Sequence, residues 1–390
     1  MNGVRNPVKP GSIFLFFLLC MAWAGAQGVH AALLDGLLDG VEESLAEGLS
    51  KKGEKLTTGN FYTDDKPNAH AQIGMMGDHT HEAGEVMFSY RLMHMFMEGT
   101  RYGTDRLTKD EVTRPMRPVP SGYIVAPESM HMWMHMFGFM YGWNDTVTLM
   151  LMVPYLNNSM NHVTRMGGKF TTRSEGFGDI RFGSLWRLWA VEAPSIGAHR
   201  FHFNLSVSVP TGDIEPTDRT PLEPNARLPY PMHLGSGTFD FYPGMTYGGE
   251  MGPVSWGIQA IGTLRAGKNS NEFSRGDVYV VNTHGAYEVI KNTLSSSVRL
   301  SWNHWEAYDG MDPDIRTNHP MNQMRIVQTA FPALLGGQRL DLLFGLNVLF
   351  PDFMGLENRL AVEGGFPIYQ YLDGQLETDS IVTFGWQAVY

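Results

Sequence analysis

The chain has 390 residues and a formal net charge of −11, with 29 Lys and Arg against 40 Asp and Glu. That acidic balance, without a basic patch, excludes nucleic acid as a partner. Beyond the N-terminal segment no apolar run reaches the length of about 18 residues that a spanning helix needs, yet 43% hydrophobic and 12% aromatic residues are ample for apolar positions spread along strands.

Arg5 and Lys9 precede the apolar run Ile13 to Trp23, and small residues follow at Ala24-Gly25-Ala26 and Val29-His30-Ala31. Residues 1–31 therefore read as a cleaved secretory signal peptide, too short to span, with Ala26 and Ala31 as alternative cleavage sites. The only cysteine, Cys20, lies in this segment. Leu19 before it is too large for a lipoprotein cleavage site. The exported chain then has no disulfide and no thiolate chemistry.

Leu34, Leu38, Val41, Leu45 and Leu49 recur at three or four with acids between them, which predicts an amphipathic periplasmic helix over 32–56. Residues 57–83 are polar, carry turn residues and read as a linker on the periplasmic side. Within it, Asp78, His79, His81 and Glu82 form a His/acid cluster. His-x-His in an extended segment puts both imidazoles on one side, and the two acids complete a candidate metal set. The spacing matches no zinc-finger or zincin pattern, and a hydrogen-bonding or capping role fits it as well.

From Gly84 the apolar residues take period two. Strands are predicted at 84–97, 129–142, 145–156, 175–190, 199–209, 236–249, 254–267, 275–291, 294–307, 338–350, 357–368 and 378–390. Twelve is an even number, and each strand is long enough to cross a bilayer at a tilt. Expected outer loops at 98–128, 157–174, 210–235, 268–274, 308–337 and 369–377 mostly outrun the turns at 143–144, 191–198, 250–253, 292–293 and 351–356. The last strand sends Val382, Phe384, Trp386, Ala388 and Tyr390 to one face. With no chain beyond to cover them, that face needs an apolar solvent. A closing strand ending on an aromatic residue resembles those of bacterial outer-membrane β-barrels. The fold class expected is all-β: a transmembrane antiparallel barrel of about 12 strands over 84–390.

The other face gathers Asp179, Arg181, Arg187, Arg200, Asp240, Arg265, Glu288, Arg299, Asp341, Arg359 and Glu363. Charges of both signs predict either a wet, ion-paired lumen or a narrow barrel filled by such pairs. The first three strands differ. Arg91 sets the inner face of the first, which also carries Met87, Met93, Met95 and Met97. The second offers Met130, Met132, Met134, Met136, Gly138 and Met140, opposite an outward ladder with His131, Trp133 and His135. The third leaves Met150 and Met152 inside. Adjacent strands then form a wall of thioethers. Such a wall suits apolar or aromatic solutes of varied shape, or a soft cation such as Cu(I), or it only packs. The candidate lumen path is Arg91, Met93, Met95, Met132, Met134, Met136, Met150, Met152, Arg181 and Arg299. No motif supports a nucleophile elbow, a zincin helix or a catalytic triad, so no enzyme and no cofactor is expected.

Several stretches resemble a known family. They are Met75-Met76-Gly77-Asp78-His79-Thr80-His81, Met87-Phe88-Ser89-Tyr90-Arg91, Met160-Asn161-His162, Thr171-Thr172-Arg173-Ser174, Gly176-Phe177-Gly178-Asp179, Pro210-Thr211-Gly212 and Gly235-Ser236-Gly237-Thr238, with the closing Leu376-Glu377-Thr378. The family is that of outer-membrane transporters named for the meta-cleavage pathway of phenol degradation, some members being labelled simply transporter. The likeness runs from about residue 75 to the end. It implies a bacterial outer-membrane location, insertion by the outer-membrane assembly machinery, and passage of small hydrophobic or aromatic solutes. A soft-metal binding or tolerance protein is the alternative. The likeness supplies no catalytic residues.

Overall fold

The computed structural model describes residues 29–50, 57–58, 66–114, 122–353 and 356–390. The signal peptide expected over 1–31 lies outside the described residues except for its last three, which open helix α1 (Val29–Ser50). The expected end of that helix at 51–56 also lies outside them. Leu49 is buried, and Thr57 and Thr58 pair with Glu192 and Val191.

The strands are β1 (Val86–Gly103), β2 (Val125–Gly142), β3 (Val147–Thr164), β4 (Lys169–Phe177), β5 (Ile180–Ala193), β6 (Gly197–Val209), β7 (Asp240–Met251), β8 (Val254–Arg265), β9 (Val278–Ile290), β10 (Leu294–Trp305), β11 (Gly337–Phe353) and β12 (Leu356–Val389). They close an antiparallel barrel, with β12 paired to both β11 and β1. Val86 and Tyr390 exchange backbone hydrogen bonds of 2.9 Å at the seam. Closure leaves no edge, so backbone groups are satisfied without water.

The 34-residue β12 makes two passes. Its first half pairs with β11 and its second with β1. Side-chain bonds from Arg359 to Gln387 (2.6 Å) and from Trp386 to Asn358 (3.1 Å) join the halves. Gly374, at φ 123°, marks the reversal between them. β4 and β5 together make one pass, pairing in turn with upper and lower β3. The passes alternate in direction, and antiparallel closure requires an even number of them. Twelve passes result, in the order predicted.

Two expected outer loops are strand instead. Residues 157–174 continue the β3–β4 ladder to a tip at 165–168, and 369–377 lie within β12. The apolar alternation stops where these strands leave the bilayer, but the hydrogen-bonded ladder continues in polar residues. Asn157 bonds Glu175 (3.0 Å), and Thr171 bonds Asn161 (2.8 Å).

The two faces are distinct. Phe88, Phe137, Phe182, Leu205, Phe241, Ile258, Val298, Phe344, Phe366 and Phe384 are exposed all round the outside. A girdle of that extent requires lipid. On β11, Phe344 is 52% exposed while Asp341, Leu343 and Asn347 are each 2% exposed. The motifs around Asp179 meet at the β4–β5 break. Asp179 accepts from the Gly212 N–H (2.9 Å) and the Ser236 N–H (2.7 Å). A Cβ on Gly212 would come within 2.7 Å of the Gly235 backbone, so the approach of these loops requires glycine.

Candidate functional site

Residues 66–81, expected on a periplasmic linker, run inside the barrel at its short-turn end. The chain enters where Lys66 meets Glu250 at 2.6 Å. Its carbonyls are then taken by inward side chains. The Pro67 carbonyl accepts from Ser295 (2.8 Å), and that of Ala69 from Arg200 (3.2 Å). The Ala71 carbonyl accepts from Arg359. The Gly77 carbonyl accepts from Asn204 (3.1 Å) and lies 3.0 Å from Nε2 of His202. A segment of turns and bends, outside any ladder, must find partners for most of its backbone, and a polar lumen supplies them. That accounts for the correction: polarity reads as a solvated linker, yet it is equally what a polar lumen accepts. Ile73 packs against Gly385, where a Cβ would come within 2.3 Å of its side chain.

Three of the four candidate metal residues enter close pairs. His79 Nδ1 lies 3.1 Å from Asp78, and His81 Nδ1 lies 3.1 Å from Glu85. Glu82 is exposed. No group of three or more His, Cys, Asp or Glu side chains arranged to hold a metal occurs among the described residues. His79 also packs edge-on against His70 (centroids 5.7 Å) and His81 (4.8 Å). Burial raises the Asp78 carboxyl, but the adjoining His79, then Arg359, outweigh it and hold it well below the usual carboxylate range. Burial, then Arg359, keeps His70 well below the ordinary histidine value.

The methionines fall in register on neighbouring strands. Met93 lies opposite Met134, Met95 opposite Met132, Met97 opposite Met130, and Arg91 opposite Met136. On the next pair Met140 lies opposite Met150 and Met130 opposite Met160. Two buried clusters result. The lower holds Met87, Met136, Met140, Met150 and Met152, with Met76 of the lumenal segment and Met134 packed on it. The upper holds Met130, Met160, Leu228 and Met232, with Met97 and Met132. Arg181 pairs with Met152 in register and lies 3.5 Å beneath the Tyr242 ring centroid, a cation–π contact. Arg299 is apart from the methionines, bonded to Glu363 and to Asn282 (2.8 Å). Met95 is touched from that side by Arg339, whose Nη1 lies 4.0 Å from its sulfur.

The outward histidines of β1 and β2 each find a partner on the neighbouring strand. His94 Nε2 lies 3.1 Å from His131 Nδ1, and the Tyr90 hydroxyl lies 2.8 Å from His135. Among the long loops, a cavity of about 410 Å³ is lined by residues that include His162, Arg165, Phe170 and Leu228. The candidate set missed this chamber. Its signals were the Met160-Asn161-His162 stretch and a lone arginine at a hairpin tip.

No protein-family model and no curated protein matches the chain. Solved structures do. The chain is similar to an outer membrane channel from Pseudomonas putida F1, with a TM-score of 0.54 over 82% of this chain and 100% of that one at 10% identity. It is more distantly similar to a Pseudomonas aeruginosa FadL homologue, with a TM-score of 0.32, 11% identity and coverage of 79% and 89%. The Pseudomonas putida toluene transporter TodX scores 0.33, at 9% identity and coverage of 85% and 98%. The first likeness establishes the fold of an outer-membrane β-barrel.

Proposed function

We propose that this barrel is a non-catalytic channel of the bacterial outer membrane for small hydrophobic or aromatic solutes. It is exported by its signal peptide and inserted by the outer-membrane assembly machinery. The observation that carries the reading is the line of in-register methionines between the apolar loop chamber and the segment filling the lumen. Leu228 belongs to both chamber and upper cluster, so a solute passes from one to the other across a single side chain. Unbranched thioethers reshape around solutes of varied form, and Met76 ends the path on the lumenal segment. Passage then requires that segment to shift. The resemblance to the meta-pathway transporters points the same way.

A second reading draws on the same register. Thioether pairs such as Met93–Met134 and Met95–Met132 also suit a soft cation, which makes a soft-metal tolerance protein the alternative.

The test is uptake of radiolabelled toluene by intact cells whose outer membrane carries the barrel. Faster initial uptake than in cells without it supports the channel. Equal uptake together with stoichiometric Cu(I) binding by the purified barrel supports the alternative.

A further inference from the structure

The loop chamber is mainly apolar, with Phe170, Leu222, Leu228 and Ile326 in its wall. Its volume of about 410 Å³ lies in the range of small-molecule sites. Four charged side chains line it: Arg165, Glu223, Arg227 and Arg316. Three of them are compensated. Arg316 pairs with Glu223, and Arg227 pairs with Glu215 and Asp314, each at 3.2 Å.

Arg165 has no carboxylate partner among the described residues. Its Nη2 donates to the Tyr123 carbonyl (3.2 Å), and its Nη1 rests 3.9 Å from the Met324 sulfur. Its Nε is buried with no partner at all. The residue is held in place at the hairpin tip by its backbone N–H, which donates to the Ile124 carbonyl just before β2 (2.8 Å). Beside it, His162 is 3% exposed and stacks on Phe170, centroids 4.8 Å apart and planes 8° apart. Its Nδ1 is buried without a hydrogen-bond partner.

A buried donor on a cation is costly to leave unmade, and a charged acceptor is its strongest partner. An apolar chamber with one uncompensated guanidinium is therefore matched to an apolar molecule bearing one negative charge.

We propose that the chamber binds small apolar monoanions, aromatic carboxylates above all, with the carboxylate on Arg165 and the ring against Phe170 and Leu228. This adds apolar monoanions to the solutes of the proposed channel and rests on that reading only in taking the chamber as the channel's mouth.

Calorimetric titration of the purified full-length barrel with benzoate, benzyl alcohol and acetate tests it. Benzoate should bind one to one, and at least roughly tenfold tighter than either control. Arg165→Gln should weaken benzoate roughly ten- to a hundredfold and leave benzyl alcohol unchanged, while Arg165→Lys should restore part of the loss. Equal affinity for benzoate and benzyl alcohol, or an unchanged Arg165→Gln variant, overturns the proposal. If that variant does not fold, Ala226→Trp, which fills the chamber, should abolish benzoate binding, and retained binding overturns the proposal. Benzoate binding without solute uptake by cells sinks the channel reading and leaves this site standing. Uptake without benzoate binding sinks this site alone.

Discussion

Arg359 donates from Nη2 to the carbonyl oxygen of Ala71 and so ties the wall of the barrel to the segment in its lumen. The same guanidinium holds Asn347 (2.7 Å) on β11 and Gln387 (2.6 Å) on the last pass. One side chain thus joins three passes to residues 66–81. Removing it leaves buried acceptors unpaired, a loss of about 1.5–3 kcal/mol for a bond to a charged group. Arg359→Ala should therefore lengthen and multiply openings in single-channel recordings. Recordings indistinguishable from the parent protein would mean that the segment is not held there.

Acid should loosen the same segment. His70 is held well below its ordinary value of 6.5, first by burial and then by Arg359, with His79 and Arg200 adding to this against Asp78. Burial also lowers His81, against the pull of Glu85. Imidazoles depressed in the seated state take up protons more readily once the segment is released. The seated form is fully favoured above 6.5 and loses ground as the pH falls below it. Asp78, depressed from 3.8, keeps its contribution across that window. Conductance should rise on acidification through 6.5, and His70→Phe should flatten the response. A conductance that falls with acid would contradict the seating described.

Both faces of β11 resist a new charge, for different reasons, whereas an exposed loop does not. Phe344 is in the lipid girdle, and Phe344→Arg should cost about 2–4 kcal/mol in urea unfolding from lipid. Met321, 87% exposed in an outer loop, should accept Arg within about 0.5 kcal/mol. Asn347, on the lumenal face, should also reject Arg. It bonds Arg359 and Ser295 (3.3 Å), so Asn347→Arg sets two guanidinium groups side by side.

The methionine wall separates its readings by substitution. Replacing Met93, Met95, Met132 and Met134 by Leu keeps bulk and apolarity but removes sulfur. Toluene uptake should persist, whereas any Cu(I) binding should collapse. Replacing the same residues by Asp should abolish uptake. If Leu and Asp variants both match the parent protein in uptake and in metal titration, the wall only packs.

Period two made the passes legible, because lipid and lumen demand opposite residues at alternate positions. It also set the methionine register, since neighbouring strands share an inner face. Arg91 is buried and lies in register with Met136. The ends of β3 and β4 were not legible, because polar pairs such as Asn157–Glu175 carry the ladder past the membrane. Residues 66–81 were hidden for a related reason: Asn68, His70 and Gln72 read as solvated, yet all three are buried. The chamber depends on loops far apart in sequence, and Arg165 acquires its meaning only once Glu223, Arg227 and Arg316 have chosen their partners.

The central claim is that solutes pass through the lumen once the segment moves aside. Ile73 and Gly385 are in contact, close to the separation a disulfide spans. The exported chain is expected to lack other cysteines. The measurement is the initial rate of radiolabelled toluene uptake by cells carrying the Ile73→Cys, Gly385→Cys barrel, oxidised and then reduced. The account predicts uptake near that of cells without the barrel when the bond is closed, and recovery to the parental rate on reduction. A parental rate with the bond closed, or no uptake above background in either state, would contradict it.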